Sequence, residues 1–445
     1  MSRNFIRATA FFAIASLTAC HGGAMGNGVV PQTPSSAQSS TLAQTAFGGS
    51  PPVTVNGEIP LTSRDAVREV CPRPSRAGEM RCFALERVDL RSNDAQENAT
   101  HYGYGPKDLQ NAYKITVGNG TKVAIVDAYG YPRASSDLAA YRSSYALGAC
   151  TTGNGCLTIR NQTGGTSPPP TNVNWDAEQA VDLDMVSAIC PKCHIVLVQA
   201  NTDYTSDLYT AVKEAVKLGA VVISNSYGGS EYSQCGGPGE PSDPAFAATG
   251  HVYVASSGDD GGGLKNCGGP QQPCSLAPVV CVGGTHLVTS NDQRGWKESV
   301  WNEIKDFDCS GSCGGAGSGC SIDVKKPTWQ NDGLCKMRSE SDVAAEASVL
   351  TPVAVYFNGW TAFGGTSVSA PLIAGIFGRA GNAAGINGPE HVWANRTKLF
   401  DPTVGSNLYA PIGGNCASSV HYICYARSGF DGPTGLGTPN GLGAF

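Results

Sequence analysis

The sequence predicts an α/β fold in which a parallel sheet carries helices on both faces. Short apolar runs of strand length recur along the middle of the chain: Lys122–Ala128, Ile195–Ala200, Ala220–Ser224, Val252–Ser256 and Pro278–Val282. Segments with helical spacing alternate with them, at Asn174–Ile189, Leu208–Leu218 and Asp243–Thr249. Such alternation is what strand–helix–strand crossovers produce. The runs are apolar at consecutive positions, as strands covered on both faces should be.

Composition narrows the function classes. The chain has 445 residues, 41% hydrophobic and only 15% charged, with 57 Gly and 27 Pro. That hydrophobic fraction excludes wholesale disorder, and the Gly and Pro content points to many tight turns. Lys and Arg number 30 against 36 Asp and Glu, a net charge of −6 with no basic block, so no nucleic-acid partner is expected. No apolar run reaches bilayer-spanning length.

The N-terminus reads as an export signal over residues 1–19. Arg3 and Arg7 precede an apolar stretch from Ala8 to Leu17, and Leu17-Thr18-Ala19-Cys20 then resembles a bacterial lipobox. The expectation is an exported lipoprotein of the cell envelope, or a secreted protein, that meets a membrane only through a lipidated Cys20. Residues 20–55 are rich in Gly, Ser, Thr, Pro and Gln and read as a flexible tether. Residues 56–103 form a short extension, and residues 104–445 form the main domain.

Cysteine usage agrees with an oxidising compartment. Of 17 Cys, setting Cys20 aside leaves an even number. Many are close in sequence: Cys71/Cys82, Cys150/Cys156, Cys190/Cys193, Cys274/Cys281, Cys313/Cys320 and Cys416/Cys424. Short loop-closing disulfides are expected, although spacing does not determine the pairing.

The chemistry concentrates in a few strings. Phe363-Gly364-Gly365-Thr366-Ser367-Val368-Ser369-Ala370-Pro371 precedes the apolar stretch Leu372–Phe377. Pro371 fits the first turn of a helix, where its missing N–H costs nothing. Ser367 would then sit at a helix N-terminus, whose N–H groups suit a developing oxyanion. The string Gly-Thr-Ser-x-Ser-x-Pro resembles the nucleophile region of the subtilase clan. A serine nucleophile needs a base, yet none of the 7 His stands in the His-Gly-Thr setting of a subtilisin. The matching helix carries Glu178 and Asp182 instead, four residues apart and so on one face. Two carboxyls that close raise each other's pKa and can share a proton, which suits a base working in acid. In isolation, that pair would be an acidic helix face. Asp259, in Val254-Ala255-Ser256-Ser257-Gly258-Asp259, ends a strand where subtilisins carry an oxyanion-binding Asn. An Asp donates there only when protonated.

Together these residues identify the chain as similar to the sedolisins, the serine-carboxyl peptidases of subtilisin-like fold. The resemblance runs from Tyr104-Gly105-Pro106-Lys107-Asp108-Leu109 to Thr438-Pro439, about three quarters of the chain, and includes Pro327-Thr328-Trp329-Gln330. It implies an acid-acting peptidase on protein or peptide substrates, with Ser367 as nucleophile, Glu178 as general base, Asp182 as its partner and Asp259 as oxyanion donor. It also implies one structural Ca²⁺ near the C-terminus, held by Asp401 and Asp431 and by carbonyls of Pro402, Arg427 and Gly429. Hard oxygen donors on Gly-rich loops suit that ion. A monomer is expected. The family carries a long prodomain, whereas here only about 80 residues separate Cys20 from the catalytic-type sequence, in a framework unusually rich in Cys.

Other readings exist. Asp127 matches the subtilisin aspartate, but a Ser/His/Asp enzyme fails for want of a placed His; His194 follows the helix instead of opening it. Cys190-Pro191-Lys192-Cys193-His194 has the spacing of a c-type haem site. An inactive binding protein on the same scaffold is a further class, against which the retention of every catalytic side chain argues.

Overall fold

Strand pairing in this computed structural model builds one large sheet from the apolar runs, in the order Trp296–Val300, Val279–Thr289, Val252–Ser256, Val222–Asn225, Lys122–Ala128, His194–Ala200, Leu157–Asn161. Val343–Glu346 adds an eighth strand beside Val279–Thr289. All neighbours are parallel except Trp296–Val300. The structure describes residues 56–92, 101–116, 118–231, 242–262, 269–303, 314–333, 335–408 and 422–445. The signal, Cys20 and the tether lie outside them. Among the described residues no helix is long and apolar enough to cross a membrane.

Both faces of the sheet are covered, which is why the runs are apolar throughout: Val123, Ala124, Ile125 and Val126 are all fully buried. Helices Val173–Ile189 and Thr366–Ala380 pack against each other and on the central strands. Helix Thr205–Lys217 packs on the same strands without joining that pair, so it covers the opposite face. It buries Leu208, Ala211, Val212 and Ala215 on one side, as an amphipathic surface helix does. By contrast, every residue of helix Val173–Ile189 from Ala177 to Ile189 is buried, charged ones included. That helix starts where the Asn172 side chain accepts the Asn174 N–H.

Several sequence expectations need correction. Asp243–Thr249 is not a helix: only the 3₁₀ turn Pro244–Phe246 forms, capped by Asp243. The Ser367 helix begins at Thr366, so Pro371 lies in its second turn and not its first. There the proline removes one intrahelical bond, the one its N–H would have made to the Ser367 carbonyl. The Gly- and Cys-rich stretch expected as a loop, Cys309–Cys320, runs into the strand Gly315–Lys325. Its glycines answer to crowding, since a Cβ on Gly317 would lie 2.0 Å from the Ser257 carbonyl oxygen. Disulfides join Cys71–Cys82, Cys150–Cys156, Cys190–Cys193 and Cys274–Cys281 as the spacing suggested. Cys320, however, pairs with Cys335 and not with its sequence neighbour Cys313. The antiparallel pairing of Gly315–Lys325 with Met337–Glu340 brings Cys320 and Cys335 together.

The extension is woven into the domain. Leu85–Ser92 lies between Val67–Glu69 and Trp360–Gly364 in a four-stranded sheet, and Arg81–Cys82 pairs with Tyr227–Ser230. The chain therefore crosses the C-terminal ends of the parallel strands, where open α/β sheets place their sites.

Candidate active site

At that end of the sheet three elements converge. Helix Val173–Ile189 presents Glu178 and Asp182, the loop after Val252–Ser256 presents Asp259, and helix Thr366–Ala380 presents Ser367 as its second residue. The sharp entry to that helix depends on Gly365, whose φ is +95°. A Cβ there would meet the Phe83 carbonyl oxygen at 2.0 Å and Asp259 Oδ2 at 2.8 Å.

The hydrogen bonds fix each group. Ser367 Oγ accepts the Phe83 N–H at 3.0 Å and donates to the Ser226 carbonyl at 3.1 Å. Glu178 Oε2 accepts the Ala84 N–H at 3.1 Å, while Oε1 has no partner among the described residues. Asp182 Oδ1 accepts the Ser226 hydroxyl at 2.7 Å. On Asp259, Oδ1 accepts both the Thr366 N–H at 2.9 Å and its hydroxyl at 2.7 Å. Oδ2 of Asp259 has no partner among the described residues and lies beside Gly365.

Burial governs the charges. Ser367, Glu178 and Asp182 are fully buried and Asp259 is 4% exposed. Burial, and then the nearby Asp182, hold Glu178 well above the usual carboxyl range, opposed by the Ser367 hydroxyl and the Ala84 N–H. Asp182 is raised by burial against the pull of Ser226. Burial pushes Asp259 up to about 8, even though Thr366 and Arg81 favour its charged form. Its proton therefore belongs on Oδ2, because Oδ1 is already accepting two donors.

The sequence under-read one neighbour. Asp127, matched there only to the subtilisin aspartate, is the next-to-last residue of its strand and fully buried, and both of its oxygens lack partners among the described residues. Burial, then Asp182 and Glu178, raise its pKa strongly, so three acids form one cluster that cannot all be charged. Ser226, Thr366 and Phe83 also went unnoticed. Only the hydroxyls of Ser226 and Thr366 could have been suspected, from their places beside a strand end and beside Ser367.

The C-terminal aspartates also meet. Asp401 Oδ2 accepts the Gly429 N–H at 2.8 Å, and Asp431 Oδ2 accepts the Arg427 N–H at 3.0 Å. Burial raises Asp431 to about 7, and Asp401 adds to the rise. Two carboxyls on one loop cluster, one of them buried at a cost, form a donor set that fits a hard cation. The haem-type string does not function as one. Cys190 and Cys193 are bonded to each other, leaving no thiol for attachment, and His194 is exposed at the start of its strand.

Known proteins resemble this chain in sequence and fold. The model of the subtilase family matches residues 161–397, just over half of the chain. Kumamolisin of Bacillus sp. (strain MN-32) is 31% identical over 374 residues, 78% of this chain and 64% of its own length. Sedolisin of Pseudomonas sp. (strain 101) is 27% identical over 377 residues, 76% of this chain and 60% of its own. The chain thus covers about six tenths of the length of these relatives. The solved structure of Pseudomonas sedolisin, a serine-carboxyl proteinase complexed with pseudo-iodotyrostatin, matches with a TM-score of 0.63 at 23% identity. That match covers 77% of this chain and 96% of the other, and shares the subtilisin-like α/β fold expected from the sequence. The chain belongs to the subtilase family and, within it, to the sedolisins.

Proposed function

We propose that the chain is a serine-carboxyl endopeptidase that hydrolyses peptide bonds in proteins at acidic pH. The observation carrying this reading is that Ser367, Glu178 and Asp259 all face one stretch of extended backbone. Phe83 N–H meets Ser367 Oγ, Ala84 N–H meets Glu178 Oε2, and the Phe83 carbonyl lies beside Gly365 and Asp259. A bound substrate would offer the same groups.

In this mechanism Ser367 Oγ attacks the carbonyl carbon while Glu178 takes its proton, and Glu178 later returns that proton to the leaving amine. Asp182, oriented by Ser226, shares a proton with Glu178 and holds it ready at acid pH. Protonated Asp259 and the Ser367 N–H stabilise the oxyanion, a pair of donors of the kind worth ~3 kcal/mol each. Water then releases the acyl group by the same steps in reverse. Asp401 and Asp431, with the carbonyls of Pro402, Arg427 and Gly429, would hold a Ca²⁺, whose chemistry is to neutralise the two carboxyls and tie the C-terminal loops. We also assign the protein to the exterior of the cell, tethered through Cys20.

The test is hydrolysis of a denatured protein between pH 3 and 7 by wild type, Ser367→Ala and Glu178→Gln. Activity in acid that drops at least ~10³-fold in both variants is the expected result. Equal activity in either variant would remove that residue from its role.

A further inference from the structure

A cavity of about 550 Å³ opens at the other end of the sheet, lined by residues 246–251, Tyr253, Pro278 and 384–387. Strand Val252–Ser256 leads to Asp259 at one end and starts beside this cavity at the other. Helix Thr366–Ala380 carries Ser367 in its first turn, and the cavity wall begins just past its C-cap, Gly381. About 20 Å of helix therefore separates the cavity from Ser367. None of the proposed catalytic residues lines it.

Local chain geometry keeps the space open. Gly250, with φ +80°, turns the chain back into the strand, and a Cβ on Gly385 would meet nothing within 4 Å. Gly388 lets the second wall close on the sheet, since a Cβ there would lie 2.9 Å from Val252 and Val280. The floor is aromatic. Phe246 and Tyr253, both 1% exposed, meet edge to face at 5.3 Å, and the His251 ring lies 6.4 Å from that of Tyr253.

The polar groups on offer are acceptors. His251 Nδ1 lies 2.8 Å from the Ala220 carbonyl, which can only accept, so in the neutral ring Nδ1 carries the proton and Nε2 keeps a lone pair. That lone pair has no partner among the described residues. At the mouth, Asn387 gives an N–H to Glu390 at 3.3 Å and keeps Oδ1 as an acceptor. No Lys, Arg, Asp or Glu lines the cavity, so nothing there would neutralise a phosphate, a carboxylate or a metal ion.

We propose that this cavity binds an uncharged aromatic ring carrying an O–H or N–H donor, as a phenol or an indole does. The ring extends the Phe246–Tyr253 cluster, and its donor meets His251 Nε2. The volume falls within the range of about 300–1,000 Å³ usual for small-molecule sites, leaving room for a substituent beyond the ring. The assignment does not depend on the peptidase reading.

The experiment titrates the full chain with p-cresol, and with toluene as the same ring without its hydroxyl, by ligand-observed NMR. Wild type is compared with His251→Phe, which keeps a ring but no acceptor, and with Gly385→Phe, which fills the cavity. Wild type should bind p-cresol saturably with a Kd of about 1 mM or tighter, and toluene about 5-fold more weakly. His251→Phe should bind the two alike, and Gly385→Phe should bind each at least ~10-fold more weakly than wild type. Binding of p-cresol to folded Gly385→Phe as tight as to wild type would place the ligand elsewhere and overturn the proposal. So would a wild type that does not saturate by about 10 mM p-cresol, or that binds toluene equally well, even if neither variant folds. N-acetyltyrosinamide separates the sources: affinity at least that of p-cresol marks a polypeptide side chain as the occupant, and weaker affinity marks a free small molecule.

Discussion

Raising the pH from 5 to 8, at fixed calcium and with disulfides intact, is expected to destabilise the fold, the reverse of what paired surface carboxylates would do. Asp259 goes from 3.8 in the unfolded chain to about 8 when buried. Between those values the native state keeps a proton that the unfolded state has lost, so stability falls with pH at a slope approaching one proton. One pKa unit is about 1.36 kcal/mol, which makes the Asp259 contribution about 4 kcal/mol between pH 5 and 8. Glu178, Asp182 and Asp127 are raised by burial and act in the same direction. The carboxyls held low by partners, Glu79, Asp89, Asp260 and Asp332, have unfolded values of 3.8 or 4.5, so their stabilisation is already complete near pH 5. The assay is urea unfolding followed by tryptophan fluorescence at intervals from pH 5 to 8, for wild type and Asp259→Asn. The variant is neutral at every pH, so its stability should fall less steeply, by about one proton's worth of slope. Midpoints that stay level or rise over this range, or a variant slope equal to wild type, would refute the reasoning.

Three further outcomes are expected. Hydrolysis should be greatest in acid and decline toward neutrality as the proton shared by Glu178 and Asp182 is lost, with a further loss near 8 as Asp259 ionises; a pH–rate profile flat to pH 8 would contradict the shared proton. Adding Ca²⁺ at 100 times its dissociation constant should stabilise the chain by about 2.7 kcal/mol, and Asp431→Asn should abolish that gain in thermal melts with and without EDTA. Gly317→Ala, which drives a Cβ to 2.0 Å from the Ser257 carbonyl, should cost more than about 3 kcal/mol. Gly385→Ala, with nothing within 4 Å, should stay within about 0.5 kcal/mol by the same melts.

Much of the sheet was legible because its signal is local. Lys122–Ala128 and Val252–Ser256 are apolar runs cut by turns, and both form strands with those bounds. The Glu178 helix was placed within one residue of its start. What failed depended on partners distant in sequence. The end of the Gly- and Cys-rich stretch Cys309–Cys320 reads as a loop until Ser257 and Pro270 are brought against Gly317 and Gly319 of the strand Gly315–Lys325. Cys320 meets Cys335 only because two strands pair across a turn. At the site, the strings and the family they resemble pointed to Ser367, Glu178, Asp182 and Asp259, and the geometry adds Asp127, whose lack of hydrogen-bond partners among the described residues no string reveals. Phe83 was beyond reach altogether, because a phenylalanine placed for its backbone N–H leaves no mark in the sequence.

The two ladders that seat Arg81–Leu85 are unequal. On the Tyr227 side it is held by two residue pairs, Arg81↔Gly228 and Cys82↔Tyr227, whereas Leu85–Ser92 is an interior strand of a four-stranded sheet. A segment tethered at both ends competes at an effective concentration of order millimolar, whatever the amount of protein in solution. Dilution therefore leaves the competition unchanged, and short peptides contend with it poorly. An incoming chain that first pairs with Tyr227–Ser230 has only those two rungs to displace, so the segment would peel from Arg81 toward Leu85. On the peptidase reading, selection at this cleft would act on the length of unfolded chain a substrate can offer, before any side chain is read.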